Sequence, residues 1–318
     1  ERRKDILIQR SSLPSMAGFD ASIYANMGEM DNKGVDANLE YQTRIGNKVG
    51  LRLFGNLTYS KNKIVFRDEP AMQYAYQKSE GTRYGEFYGY IAEGYFQSEE
   101  EIKKSPRQMR ELAPGDIKYK DLNDDGVIDA NDQCYLGKSW FPSWSYGMGF
   151  NINYHNFDLA LFFQGVSDVS IMANGGSIDT GNGDWGASGV GIVPFTGMGL
   201  NPSNVITKAL DRWTADNPRA DAWYPRMTAN ATTNDNNYVN STHWLKDGSY
   251  LRLKQASLGY TLENKKLMDK GIEYLYFYLS GQNLLTFSKF KLWDPELGSN
   301  GAKYPLSRMV TLGMRVSF

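Results

Sequence analysis

Ser145-Tyr146-Gly147-Met148-Gly149-Phe150-Asn151-Ile152-Asn153-Tyr154 decides the fold class. One parity carries Tyr146, Met148, Phe150, Ile152 and Tyr154, and the other carries Ser145, Gly147, Gly149, Asn151 and Asn153. In a strand, successive side chains point to opposite faces. The segment is therefore a ribbon with one apolar face, bracketed by tyrosines, and one small polar face. The same period appears at Val35, Ala37, Leu39 and Tyr41, which alternate with Asp36, Asn38, Glu40 and Gln42. It returns at the end of the chain, where Val310, Leu312, Met314, Val316 and Phe318 share one face and Thr311, Gly313, Arg315 and Ser317 the other.

A strand of a soluble sandwich also alternates, with its apolar side turned inward. Three features favour a membrane barrel instead. The candidate strands are long, roughly 10 to 17 residues against a usual ~5–6. Tyrosines bracket the apolar band as an aromatic girdle does. The last apolar position is an aromatic, Phe318, like the terminal signal of bacterial outer-membrane barrels. Strands are expected at about 4–11, 32–45, 49–65, 144–154, 157–167, 244–262, 272–287 and 306–318.

The connections alternate in length. Short ones fall at Asn47, at His155-Asn156 and over Asn264–Gly271. Long ones cover about 68–143, 168–243 and 288–305. Barrels have short periplasmic turns and long extracellular loops, so the long excursions are expected outside. Two local ambiguities remain. Leu251 and Leu253 have one parity and Leu258, Tyr260 and Leu262 the other, which calls for a bulge or for a strand rising above the bilayer. Over Ile272–Leu279 both faces are apolar or aromatic, and inside cannot be told from outside. Inward sets rich in Gly, Ser, Asn and Thr suit a wide lumen, so the strands are expected to be part of a large barrel.

Composition excludes several classes. The net charge of -1 and the lack of a Lys/Arg stripe give no case for nucleic acid. Cys134, the only cysteine, rules out an intrachain disulfide and is expected to be a small buried hydrophobe. No apolar run of about 18 residues exists, so no transmembrane helix is expected. Glu1-Arg2-Arg3-Lys4-Asp5 lacks an apolar stretch behind it and is not a secretory signal; the chain is expected to begin within a longer protein. Neither His155 nor His243 has a nearby nucleophile pattern. No phosphate-cradling glycine loop precedes Lys-Ser or Lys-Thr.

Two stretches carry a family resemblance. The first holds Gly85-Glu86-Phe87-Tyr88-Gly89-Tyr90, Gly94-Tyr95-Phe96-Gln97, Pro114-Gly115-Asp116-Ile117-Lys118-Tyr119-Lys120-Asp121, Phe157-Asp158-Leu159 and Phe162-Phe163-Gln164-Gly165. The second holds Trp244-Leu245-Lys246-Asp247-Gly248-Ser249-Tyr250-Leu251-Arg252-Leu253-Lys254, Ser257-Leu258-Gly259-Tyr260 and Gly281-Gln282-Asn283-Leu284. Asn26-Met27-Gly28-Glu29-Met30, with Asn32 and Gly34, fits more loosely. Together they resemble the C-terminal barrel of SusC/RagA-type TonB-dependent transporters, over nearly the whole of 1–318, least over 168–243. The resemblance implies a plugged 22-stranded barrel in outer-membrane lipid, with the plug outside this chain. It implies import of oligosaccharides or peptides, a SusD-like surface lipoprotein as lid, and energy from the TonB complex through the missing N-terminal part.

One motif has its own chemistry. Asp121-Leu122-Asn123-Asp124-Asp125-Gly126-Val127-Ile128-Asp129-Ala130-Asn131-Asp132 has the spacing of a twelve-residue calcium loop. Oxygen ligands fall at Asp121, Asn123 and Asp125, the turn glycine at Gly126, a carbonyl at Val127, a water-mediated ligand at Asp129 and the last ligand at Asp132. The last position is Asp rather than Glu, which makes two-oxygen coordination harder. A structural Ca2+ is expected, with Mg2+ the alternative, and Ile128 should pin the loop from beneath. The plainer account is an Asp/Asn/Gly-rich turn.

Trp185, Trp213, Trp223 and Tyr224 lie in the long excursion. Such rings can stack on sugars but more often pack loops together or form an interface. Glu99-Glu100-Glu101 with Lys103 and Lys104 is expected to be a short solvated helix. The leading function is active import. A secreted β-domain binding glycan non-catalytically is the alternative, and a glycan-cleaving enzyme lacks a converging carboxylate pair.

Overall fold

The computed structural model describes residues 1–10, 23–46, 48–174, 206–228, 236–269, 271–301 and 304–318; Asn47 and Trp185 lie outside them. In chain order the strands are β1 (Arg2–Gln9), β2 (Tyr24–Ile45), β3 (Val49–Phe66), β4 (Glu86–Gly89), β5 (Ala92–Tyr95), β6 (Ile117–Tyr119), β7 (Cys134–Ser139), β8 (Trp144–Tyr154), β9 (Phe157–Ser167), β10 (Ser170–Met172), β11 (Leu245–Asp247), β12 (Tyr250–Leu262), β13 (Tyr274–Ser288) and β14 (Met309–Ser317). Among the described residues two short α-helices join them, α1 (Glu99–Lys104) and α2 (Lys265–Met268). Among the described residues no helix is long and apolar enough to cross a membrane.

Eight strands form one antiparallel meander, β1-β2-β3-β8-β9-β12-β13-β14. The other six pair as β4 with β7, β5 with β6 and β10 with β11, all within the long connections.

The register lines up the apolar parity across the sheet. Leu51, Ile152, Leu159, Leu258, Leu279 and Leu312 are successive cross-strand partners. One step toward the short turns, Tyr154, Phe157, Tyr260 and Phe277 make an aromatic row, with the Phe157 and Tyr260 rings 4.7 Å apart. At the other end of β8, the Trp144 ring lies 4.4 Å from Tyr59. The 11 residues of β8 separate the two aromatic ends. At ~3.4 Å per residue and a tilt of ~45° that is a height of about 24 Å, close to the ~25 Å apolar band of a membrane barrel. Among the described residues no protein layer covers this face: Leu312 is 81% exposed and Leu39 75%. Met148, Tyr154, Met314 and Phe318 are exposed too, and Tyr146, Phe150, Ile152 and Val316 are half-buried.

Both ambiguities resolve. A register shift falls between Leu253 and Gln255 in the pairing of β12 with β9 and with β13, so Lys254 is where the parity switches. In β13, Leu275, Phe277 and Leu279 join the apolar rows. Tyr276 and Tyr278 stack on the opposite face, 5.8 Å apart. That face is more filled than its small residues suggest. Phe54 and Phe162 stack there at 6.0 Å, and a Cβ at Gly149 would meet the Phe54 ring at 2.5 Å. The inward glycines make room for aromatic rings from neighbouring strands.

Expected boundaries move by a few residues at β1, β13 and β14 and by more at two places. β2 begins at Tyr24 rather than near 32. The expected strand 244–262 splits, because Leu245–Asp247 leaves the sheet to pair with Ser170–Met172. The short connections stand at Gly46 (φ +58°), at His155 (φ +52°) with Asn156, and at α2, whose N-cap Asn264 accepts from the Lys266 amide.

Candidate functional site

The long connections fold together into a cap with its own core. Phe87, Tyr90, Tyr95, Ile117, Tyr119 and Ile128 come from 67–143, and Trp213, Tyr224, Tyr238 and Trp244 from the later excursion. Trp244 is fully buried, with its indole N–H donating to the Asn237 carbonyl at 2.7 Å. Its ring meets Trp223, Tyr224 and Tyr238 at 5.2–5.6 Å. Burial of an aromatic of this size contributes about 3 kcal/mol, provided its polar atom finds a partner. Cys134 is buried, as expected, and burial pushes its thiol pKa up. The α1 helix is exposed to half-buried and capped by Ser98, whose hydroxyl accepts from the Glu101 amide.

The motifs that carry the family resemblance are the joints of this cap. Gly115 (φ +93°) lets its backbone lie against the Trp213 ring, where a Cβ would collide. The adjacent Asp116 carboxylate, fully buried, pairs with the Arg226 guanidinium at 2.7 Å and accepts from the Asn237 amide at 2.8 Å. Gly89 gives the same close approach to the Asn240 backbone. Tyr90 is there bridged in parallel to Ser241. Arg252, 1% exposed, reaches from β12 to Asp294 at 2.5 Å and Glu296 at 2.6 Å, which ties the third long connection to the wall.

At the rim, between 206–211, β11 and 289–292, lies a cleft of about 830 Å³. Trp223, Phe290 and Leu292 form its apolar lining, and Lys208, Lys246, Lys289 and Lys291 supply cations. Lys246 donates to the His243 carbonyl at 2.6 Å and stands 5.3 Å from the Trp223 ring centre. Burial, and Lys208 nearby, hold its pKa below the usual lysine value. His243 sits behind it, Nε2 3.3 Å from the Tyr95 hydroxyl and 3.2 Å from the Trp223 carbonyl. Burial, with Lys246 adding to it, pushes its pKa down to about 4. These lysines are scattered in the sequence, and only the topology gathers them.

The calcium-type loop is ordered by its own amides. Asp121 accepts from the Asp124 and Gly126 N–H groups, both at 2.8 Å. Asn123 donates to Asp125, which accepts from the Val127 amide. Asp129 accepts from Asn131, and Asp132 from Leu122 and Asp129. Asp124 (φ +58°) and Gly126 (φ +82°) make the turn, and Ile128 is buried beneath it, as expected. Among the described residues no three acidic, His or Cys side chains converge as a metal-holding group. Asp121, Asn123, Asp125, Val127, Asp129 and Asp132 all lie on this one loop.

Trp213 and Tyr224 are buried and pack the loops, whereas the half-buried Trp223 packs against the same cluster and also lines the cleft.

No family model matches the chain. It is similar over its whole length to TonB-dependent receptor P3 of Formosa agariphila, at 27% identity, where it covers 31% of that receptor. It is similar to TonB-dependent receptor SusC of Bacteroides thetaiotaomicron at 22% identity, covering 29% of SusC. Among solved structures it matches the RagAB peptide transporter with a TM-score of 0.70 at 22% identity, over all of this chain and 32% of that one. The "open-open" state of the RagAB peptide importer matches at a TM-score of 0.69 and 23% identity. The chain thus spans about a third of the length of the relatives it matches, and these relatives are receptors and an importer, not enzymes. Along its entire length the chain is similar to TonB-dependent receptors, SusC among them, and its eight-stranded sheet has the fold of the RagAB barrel.

Proposed function

We propose that this chain forms wall and extracellular cap of an outer-membrane importer that takes up oligosaccharides or peptides, driven by TonB and lidded by a SusD-like lipoprotein. The observation that carries this reading is the uncovered apolar belt, rimmed by aromatics, beneath long connections folded into a separate core. The belt runs across successive strands with Leu39, Met148, Leu279 and Leu312 exposed, and a contiguous apolar surface of this kind is rare on a soluble monomer, which argues against a secreted glycan-binding domain. Similarity to the RagAB peptide importer supports import and a two-component assembly. A packed cap suits a lid contact, since little ordering entropy is lost when a rigid surface binds.

The test is uptake of labelled oligosaccharide and peptide pools by cells with the full receptor, without it, and without TonB, alongside purification through a tag on the receptor. Loss of uptake in both deletions and co-purification of a surface lipoprotein support the reading. Undiminished uptake in the receptor deletion for every pool would refute it.

A further inference from the structure

We infer that the rim cleft around Trp223 is a subsite for a carboxylate of the imported solute, which deepens the importer reading and rests on it. Four lysines, Lys208, Lys246, Lys289 and Lys291, line the cleft against two carboxylates, Asp211 and Asp247. Asp211 is already engaged, at 2.6 Å by Lys208 and 3.3 Å by Arg219. Asp247 accepts from the Ser249 amide and lies 3.9 Å from Lys289. The excess is therefore cationic. Gathering like charges in one cleft is unfavourable, and an apolar lining makes it more so by lowering the local dielectric. An incoming carboxylate relieves both costs and gains charge-assisted hydrogen bonds.

The lysines differ in role. Lys246 is fixed over the Trp223 ring by its bond to the His243 carbonyl and presents charge from the floor. Lys289 and Lys291 are exposed on either side of the buried Phe290 just after β13, Lys289 3.9 Å from Asp247, and present charge from the mouth. A carboxylate can come from an acidic peptide or from a uronic-acid glycan. The geometry recognises the group they share.

The experiment uses the full receptor purified in detergent, and four probes: a tetra-glutamate peptide, its tetra-glutamine counterpart, a galacturonate trimer and its methyl ester. Binding is measured by calorimetry at low and high salt. At least one acidic probe is expected to bind about tenfold more tightly than its neutral counterpart, the equivalent of one charge-assisted contact. The preference should shrink in high salt, vanish in the Lys289→Gln/Lys291→Gln double variant and persist in Lys289→Arg/Lys291→Arg. Whichever acidic probe shows it identifies the source. Equal binding of acid and neutral probes, an unchanged preference in the Gln variant, or no binding of any probe would overturn the inference. A receptor that imports while binding acid and neutral forms alike breaks only this inference. A receptor with acid preference whose deletion leaves uptake intact breaks only the importer reading.

Discussion

The wall and the cap use the same kinds of side chain in opposite ways. Leu39, Met148 and Leu312 in the wall are exposed, whereas Phe96, Ile117 and Trp244 in the cap are fully enclosed by protein. The difference follows from what each region has as solvent. A wall facing lipid needs no second layer, because hydrocarbon replaces the missing core, and its backbone groups are satisfied by neighbouring strands. A cap standing in water must bury its apolar surface against itself, so it recruits residues more than a hundred positions apart, such as Tyr95, whose hydroxyl donates to the Ala222 carbonyl.

The largest effect that would sharpen this contrast lies in the cap. Replacing Trp244 with Ala removes the centre of the aromatic cluster and leaves the Asn237 carbonyl without its donor. The expected cost is about 3–5 kcal/mol, seen as early proteolysis of the cap, while the wall keeps its heat-modifiable migration in gels. Simultaneous loss of both would show that cap and wall are one cooperative unit.

In the wall the expected effects depend on parity. Phe150→Arg, on the lipid-side face, should cost roughly 2–4 kcal/mol in folding from denaturant into bilayers, and Asn151→Arg far less. Equal costs at these neighbours would undo the assignment of faces.

A smaller effect is a pH dependence confined to the cap. His243 has its pKa pushed down to about 4, so the folded cap disfavours the charged ring. As pH falls below ~6.5 the unfolded chain takes up the proton first. The stability from neutral His243 is complete above ~6.5 and lost progressively toward pH 4, by roughly 2 kcal/mol for a ring not wholly removed from water. His243→Gln should flatten the cap's melting profile across that window. A wild-type profile already flat there would contradict the burial argument.

The smallest effect concerns the loop at Asp121–Asp132. Its carboxylates accept from the loop's own amides and keep lone pairs that a cation can use, so chelating calcium should lower cap melting slightly and adding Ca2+ should restore it. Melting that responds to neither chelator nor Ca2+ would contradict the calcium reading of the motif.

The contrast also explains what the sequence shows and what it hides. Alternation in β8 and β9 is a local pattern imposed by a two-sided environment, and their limits, Trp144–Tyr154 and Phe157–Ser167, match the sequence reading. A parity switch between Leu253 and Leu258 is also legible, because lipid tolerates no inverted stretch, but its place at Lys254 comes from the register of β12. The first eight residues of β2, Tyr24–Asp31, are not legible as strand: a face that alternation does not polarise gives no period-two signal. Nor is the early end of the Trp244 segment, where Gly248 separates β11 from β12. The cap is least legible. Its loop aromatics are plain in the sequence, but their enclosure depends on pairings such as Asp116 with Arg226 that no local pattern announces. For the same reason the four lysines of the rim cleft give no sequence signal.

The most direct test of the central claim is a nitroxide scan over Val35–Tyr41 in the full receptor reconstituted into bilayers. Val35, Leu39 and Tyr41 are all exposed on one parity of β2, beside their β3 partners Tyr59, Gly55 and Leu53. Labels at 35, 37, 39 and 41 should be accessible to oxygen and shielded from a water-soluble nickel complex, and labels at 36, 38 and 40 should show the reverse. Nickel access at the odd positions, or no alternation along the segment, would contradict a wall that faces lipid.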